Sequence, residues 1–246
     1  YLTLERNDEA CAEYRKVVKA GNSSFEVWQN LLFLEMQSNQ LDSVIVHAEQ
    51  ASEFFPNQGM IYYFSGIAYA RKKNYRESCV SLEQAKKLSK SNSNLLSEIN
   101  ALLGDNYNAT KEYDKSDKSY EEALVINPTD AYVLNNYAYY LSLRKTNLER
   151  AEQMAALAVK NHPTNSSYLD TYAWVLYQEA KYKDAKKIIE KAIASPNASA
   201  ILYEHYGDIL FQLGEIDDAV AQWQKAKSLG AENEALNKKI ANRKVQ

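Results

Sequence analysis

Three groups of side chains in this 246-residue chain have the types and spacing to suggest chemistry. Asp105, Asp114 and Asp117 crowd the stretch LLGDNYNATKEYDKSDKSYEEALVINP, residues 102–128, and suggest an acidic loop that could hold a cation. Glu204, His205 and Asp208 sit close enough on one segment for a carboxylate to orient an imidazole as a general base. Cys11 and Cys79, with His47, His162 and His205, complete the soft metal-ligand types.

None of these groups carries its chemistry through. A calcium loop needs oxygen ligands at alternating places around a central glycine. From Asp105 the alternating residues are Tyr107 and Ala109; from Asp114 they are Ser116 and Lys118. Those carboxylates read as the wet face of a helix. The Glu204–His205–Asp208 group has no nucleophile and no Gly-rich turn to stabilise an oxyanion, so His205 reads as a surface or inter-helix histidine. The cysteines and histidines show no metal-ligand spacing. No Gly-rich phosphate loop, Gly-x-Ser-x-Gly or His-Glu-x-x-His occurs. Catalytic residues, metal and cofactor are all read as none. Four Asn-x-Ser/Thr triplets begin at Asn22, Asn108, Asn165 and Asn197 and matter only in a eukaryotic secretory pathway.

Composition narrows the remaining classes. Seven glycines and four prolines are few for this length and disfavour an all-β fold with its many tight turns. Net charge is −3, without the dense positive field that phosphate contacts need, so nucleic acid is not an expected partner. No apolar run approaches the roughly 20 residues that span a bilayer. The opening Tyr1-Leu2-Thr3-Leu4 reads as neither a start methionine nor a signal peptide.

The elements that must position any site emerge from internal repetition. Gly66, Gly104, Ala138, Ala173 and Gly207 fall into one column, with Leu32 in the first copy. Val44, Ser78, Ser116, Ala151, Ala185 and Ala219 form a second, and Ala51, Ala85, Ala123, Ala158, Ala192 and Ala226 a third. Pro56, Pro128 and Pro163 close copies, because proline cannot continue a helix. The copies span residues 25–58, 59–96, 97–130, 131–165, 166–199 and 200–233, the second longer at its end and the fourth longer in the turn around Lys145. Residues 1–24 read as the second helix of a truncated preceding copy, and residues 234–246 as a polar capping helix with Lys238, Lys239, Arg243 and Lys244 near its end. Packed helices approach to about 8–10 Å, and their crossing point tolerates only small side chains. Leu32 should therefore hold its two helices further apart than elsewhere. Cys11 and Cys79 lie two copies apart, too far for a disulfide, and are expected as free thiols.

The copy written Asn100-x-x-Leu103-Gly104-x-x-Tyr107, then Ser116-x-x-x-Tyr120, Ala123 and Pro128, resembles the tetratricopeptide repeat, a 34-residue helix–turn–helix. That resemblance covers nearly the whole chain and implies an all-α, right-handed superhelical solenoid of antiparallel hairpins. The place where the family favours tryptophan holds Trp28, Tyr62, Asn100, Leu134, Leu169 and Tyr203.

The family resemblance also implies that partners bind a concave groove lined by the first helix of each pair. Carried over residue by residue, the groove holds Phe33, Met36, Tyr63, Ile67, Arg71, Asp105 and Asn108, then Tyr132, Asn135, Tyr139, Asp170, Trp174, Tyr177, Glu204, Asp208 and Phe211. Its aromatics would anchor an extended peptide or a partner helix. The chaperone-adaptor clamp of lysine, asparagine and arginine is missing: its places hold Gln29, Phe33 and Phe64, or Asn135, Tyr139 and Thr171. Residues 135–192 resemble bacterial members of the family, which implies a periplasmic or outer-membrane-associated lipoprotein rather than a cytoplasmic protein. The expected function is a non-catalytic scaffold for a protein or peptide partner, with bacterial cell-envelope assembly as its expected setting; the alternative is the substrate-recruiting arm of a larger enzyme or regulatory protein. Self-association through the groove or an uncapped end stays open.

Overall fold

A computed structural model describes residues 4–21, 23–195 and 198–245. Asn22 and Asn197, which begin two of the four Asn-x-Ser/Thr triplets, lie outside the described residues, as do Tyr1, Leu2, Thr3, Pro196 and Gln246. Every regular element among the described residues is an α-helix. They divide into two compact units, residues 1–128 and residues 129–246.

The first unit holds α1 (Leu4–Lys19), α2 (Phe25–Gln37), α3 (Leu41–Phe54), α4 (Gly59–Arg71), α5 (Tyr75–Leu88), α6 (Ser93–Ala109) and α7 (Tyr113–Ile126). The second holds α8 (Ala131–Arg144), α9 (Leu148–Asn161), α10 (Ser166–Gln178), α11 (Tyr182–Ile193), α12 (Ala200–Gln212), α13 (Ile216–Ser228) and α14 (Glu234–Asn242). Helices α2/α3, α4/α5, α6/α7, α8/α9, α10/α11 and α12/α13 form antiparallel hairpins, each closed by a short turn.

One backbone device closes each of the six. Asn39, Lys73, Lys111, Lys145, Ala180 and Gly214 adopt left-handed conformations, with φ from 54° to 82°. The next amide bonds back five residues, for example Asn74 N–H to the Tyr69 carbonyl at 2.9 Å and Glu215 N–H to Leu210 at 3.0 Å. The left-handed residue itself bonds back three, as Ala180 N–H does to Tyr177 at 3.0 Å. This is the Schellman arrangement, which satisfies carbonyls that a helix end leaves orphaned. Only Gly214 fills the place with the residue that meets no steric penalty there. The longer turn of the fourth hairpin adds a second left-handed residue, Asn147 at φ 46°.

Within each hairpin the small-residue columns set how near the helices come. A Cβ on Gly66 would lie 2.6 Å from Leu82 Cγ, and one on Gly104 would lie 2.7 Å from Tyr120 Cε1. The same approach lets the second helix bond the first helix's backbone: Ser78 Oγ donates to the Gly66 carbonyl at 2.6 Å, and Ser116 Oγ to the Gly104 carbonyl at 2.8 Å. Sixteen residues beyond each small residue, the register reverses the size. Gly66, Gly104 and Gly207 face Leu82, Tyr120 and Trp223. Leu32 stands in register with Ala48, both fully or almost fully buried. Helices α2 and α3 are the most loosely apposed hairpin, as the bulk of Leu32 led one to expect.

The large aromatics bring polar atoms into the seam, and each finds a carboxylate beside its glycine. Tyr120 OH donates to Asp105 Oδ1 at 2.5 Å, and Trp223 Nε1 donates to Asp208 Oδ1 at 2.9 Å. A buried indole or phenol wants such a partner. Asp105 therefore supports a hairpin seam.

The first unit is fastened by a buried ionic cluster that the periodic pattern does not announce. Glu35 on α2 is completely buried at a place held by Tyr69, Tyr107, Leu141, Leu176 and Leu210 in the other hairpins. Arg15 Nε on α1 donates to Glu35 Oε1 at 2.8 Å, and His47 Nδ1 on α3 lies 2.9 Å from Oε2. Both cysteines are buried free thiols; burial raises each above the usual thiol range, Cys79 to about 12 with Glu112 and Glu83 adding to the effect.

Helix α14 stops at Asn242, where Arg243 turns left-handed at φ 53°, so the capping helix is shorter than residues 234–246. Its Lys239 does not face solvent. The side chain is 12% exposed and reaches back to α12.

Candidate functional site

The first-helix residues of the first unit divide by burial. Phe33 on α2 is 44% exposed and Arg71 on α4 is exposed, its guanidinium near the Met36 carbonyl at 3.4 Å. Met36 itself is 8% exposed and lies in the core with Trp28, Leu32, Val44 and Phe64. It therefore lines no groove: a flexible thioether fills the volume beside Leu32. Tyr63 is half-buried and donates to Glu98 Oε2 on α6 at 2.8 Å; burial and that carboxylate both raise its phenol. Ile67 packs on the same core from the side, and Asn108 is half-buried on α6.

The first unit also has a cavity of about 640 Å³ on its second-helix side, lined by residues of α5 with Tyr62, Tyr107, Glu112 and Lys115. Its polar groups largely satisfy one another. Tyr107 OH donates to Glu83 at 3.0 Å and Lys115 Nζ to Glu112 at 2.5 Å.

In the second unit the first helices bring most of the expected residues together. Trp174 stands at the centre of a three-ring stack. The ring centre of Tyr177 lies 4.7 Å from that of the indole with planes 10° apart, and that of His205 lies 4.2 Å away at 20°. The indole is thus tied into contacts between α10 and α12 and does not stand free as an anchor. His205 Nδ1 bonds Asp170 Oδ1 at 2.8 Å, so the histidine's orienting carboxylate comes from α10 and not from Glu204 or Asp208 on its own helix. Gln212 Nε2 donates to Tyr177 OH at 3.3 Å. Phe211 is half-buried against Trp223 at 6.1 Å.

One helix further along, Lys239 Nζ on α14 donates to Glu204 Oε1 and Asp208 Oδ2, both at 2.8 Å. Burial pushes the Asp208 carboxyl up, against the pull of Lys239. Burial alone would lower Lys239, but Asp208 and Glu204 outweigh it and the ammonium is raised. The spacing repeats: Asp170 meets the residue 35 positions later, and so does Glu204.

Between α8, α10 and α12 opens a cavity of about 380 Å³, lined by Asn135, Tyr139, Ser166, Ser167, Asp170, Thr171, Ser199, Ile201 and Leu202. Asn165 caps α10 by accepting from the amides of Ser167 at 3.0 Å and Tyr168 at 3.2 Å, which fixes the cavity's serine edge. Tyr139 is raised by burial and by the charge of Asp170. Asn135 Oδ1 and Trp174 Nε1 are buried without a hydrogen-bond partner. Tyr132 and Ile201, at one register on α8 and α12, are 46% and 48% exposed. The serines and Ile201 escaped sequence reasoning, Thr171 entered it only as a place in the missing clamp, and Lys239 only as part of a polar cap, although the 35-residue spacing from Glu204 to Lys239 was there to find.

Among the described residues no cluster of three or more His, Cys, Asp or Glu side chains could hold a metal ion. No described helix is long and apolar enough to cross a membrane.

Antiparallel hairpins with a recurrent close seam and a side-chain-rich first-helix face define a helical-repeat array. Family profiles described as tetratricopeptide repeat match residues 97–130 and 119–153. Residues 97–153 thus match the tetratricopeptide repeat, and the fold is that of a tetratricopeptide-repeat array. Tetratricopeptide repeat protein 21A of Mus musculus is 26% identical over 153 residues, 62% of this chain and 11% of that protein. The chain thus spans about a tenth of the length of the curated relatives it matches. A tetratricopeptide repeat protein from Parabacteroides merdae has the same fold with a TM-score of 0.69 at 17% identity, over 96% of this chain and 90% of that one. YrrB, described as a TPR protein with an unusual peptide-binding site, gives a TM-score of 0.61 at 18% identity, over 75% of this chain and 93% of its own.

Proposed function

We propose that this chain is a non-catalytic scaffold that holds an extended segment or helix of a protein partner against its first-helix faces. The face of residues 129–246 carries the principal site. The observation behind this reading is a cavity set into that face and lined by the exposed Ile201, with Tyr132 exposed at the same register on α8. Exposed large side chains beside a cleft are the usual mark of a docking surface. The Tyr177–Trp174–His205 stack and the Asp170–His205 bond hold the surrounding side chains in place before any partner arrives. Little side-chain freedom is then lost on binding, and contact energy converts more fully into affinity. The peptide-binding description of YrrB supports the same class of ligand. Phe33, Tyr63, Arg71 and Asn108 are the corresponding contacts we assign to the face of residues 1–128.

A photo-crosslinking amino acid at Ser167, compared with one at Lys187 on α11, tests the reading. Covalent capture of a protein partner from Ser167 and not from Lys187 is expected. Capture from Lys187 alone would move the docking surface to the second helices. For the cellular setting we propose the bacterial envelope, on the likeness of residues 135–192 to bacterial members. Fractionation of cells tests it, and a cytosolic protein would discard the setting while leaving the scaffold standing.

A further inference from the structure

We propose that the cavity between α8, α10 and α12 is a subsite for one cationic side chain, a lysine ammonium or arginine guanidinium, carried by an extended partner segment. This deepens the scaffold reading and rests on it. The cavity's lining residues include one formal charge, the carboxylate of Asp170. His205, which does not line the cavity, satisfies one of the carboxylate's oxygens at 2.8 Å. Asn135 lines the same cavity and its Oδ1 has no donor. Asp170 therefore borders a space whose lining supplies no cation, with the unpaired oxygen of Asn135 buried in the same wall. An aliphatic side chain placed there would leave the Asp170 carboxylate without a counter-charge, and a carboxylate or phosphate would meet like charge at close range.

The chain itself displays the matching chemistry one helix further along. Glu204 follows Asp170 at the equivalent place on the next first helix, and there Lys239 of α14 brings its ammonium to within 2.8 Å of Glu204 and of Asp208. The Lys239 side chain is 12% exposed, so this face can seat a largely buried cation between carboxylates on successive turns. Beside Asp170 the companions are Asn135 and the Tyr139 hydroxyl, and Tyr139 is perturbed by the Asp170 charge, which places the two groups within electrostatic reach. The volume, about 380 Å³, lies at the small end of ligand-sized clefts and suits one long side chain. A charge-assisted hydrogen bond there gives direction as well as attraction.

The test uses short peptides of alanine, glycine and serine with a central position fixed as lysine, arginine, leucine or glutamate, titrated calorimetrically into the 246-residue chain. Lysine and arginine peptides are expected to bind about tenfold more tightly than the leucine peptide, in keeping with one charge-assisted bond. Asp170→Asn should erase that preference, with its melt recorded to show that it folds. Asn135→Leu, which leaves the His205 contact intact, should reduce the preference by about half its logarithm. Leucine or glutamate peptides binding as well as lysine, or Asp170→Asn keeping the preference, would overturn the cationic subsite. If those non-cationic peptides are also blocked by Ser167→Trp, the docking face stands and only the subsite is lost. Binding by none of the peptides would discard both.

Discussion

Gly207 and Trp223 touch across the α12/α13 hairpin, and a Cβ on Gly207 would lie 2.4 Å from Trp223 Cδ1 and 3.0 Å from the Ala219 carbonyl oxygen. The indole is completely buried and its nitrogen is held by Asp208 at 2.9 Å, so it has no easy retreat. Alanine gains about 1 kcal/mol over glycine in helix propensity. Overpacking here should exceed that gain, and Gly207→Ala is expected to destabilise the second unit by about 1–2 kcal/mol in urea unfolding. The chain supplies the rescue: Ala173 stands in register with Ile189 in the preceding hairpin. Trp223→Ile should recover part of the loss in the Gly207→Ala background. An unchanged or raised midpoint for Gly207→Ala alone would contradict the seam.

Ala180 sits left-handed at φ 59° where the last hairpin has Gly214 at φ 82°. An L-residue there carries a steric cost that glycine avoids, partly offset by glycine's greater freedom in the unfolded chain. Ala180→Gly should therefore stabilise by about 0.5 kcal/mol, and Gly214→Ala should destabilise by a similar amount. Calorimetric melts of the two variants give the comparison, and shifts of the same sign would refute it.

Arg15 and His47 share the buried carboxylate of Glu35. Removing one partner of a buried ion strands the other, so Arg15→Met should cost about 2–3 kcal/mol. The other hairpins hold leucine or tyrosine at the Glu35 place, and Glu35→Leu combined with Arg15→Met should restore most of the loss. Hydrogen exchange of α2 reads both. Additive losses in the double variant would show that the ionic cluster is not coupled.

Burial holds the Cys79 thiol protonated up to about 12, against an ordinary value of 9.0. A folded pKa above the unfolded one favours folding fully below pH 9.0 and loses that contribution as pH rises toward about 12. Alkylation of Cys79 near pH 9 should run at least about tenfold slower than that of a free thiol, because the thiolate is the reactive form. Alkylation at the free-thiol rate would place Cys79 at the surface.

How far the sequence reached can be argued from single residues. Gly66, Gly104 and Gly207 were legible because close approach of two helices leaves a mark in residue size. The turns were not: Lys73, Lys111 and Ala180 carry no glycine signal, and helix docking imposes their left-handed geometry. Met36 shares its register with Tyr177 and Phe211, yet Leu32 beside it changes the local volume and draws it into the core. Asp170 and Lys239 could be placed on the right face, but their partners depend on side-chain reach between helices, which periodicity does not encode.

In the proposed function the first-helix face of residues 129–246 grips a protein partner. The most direct measurement of that grip is the dissociation constant of the crosslinked partner, once identified, for two folded variants of the chain. Tyr139→Ala combined with Ile201→Ala should weaken binding by more than about tenfold, whereas Lys187→Glu combined with Lys191→Glu on α11 should leave it unchanged. Loss of binding from the α11 variant, with the first-helix variant still binding at full strength, would contradict the account.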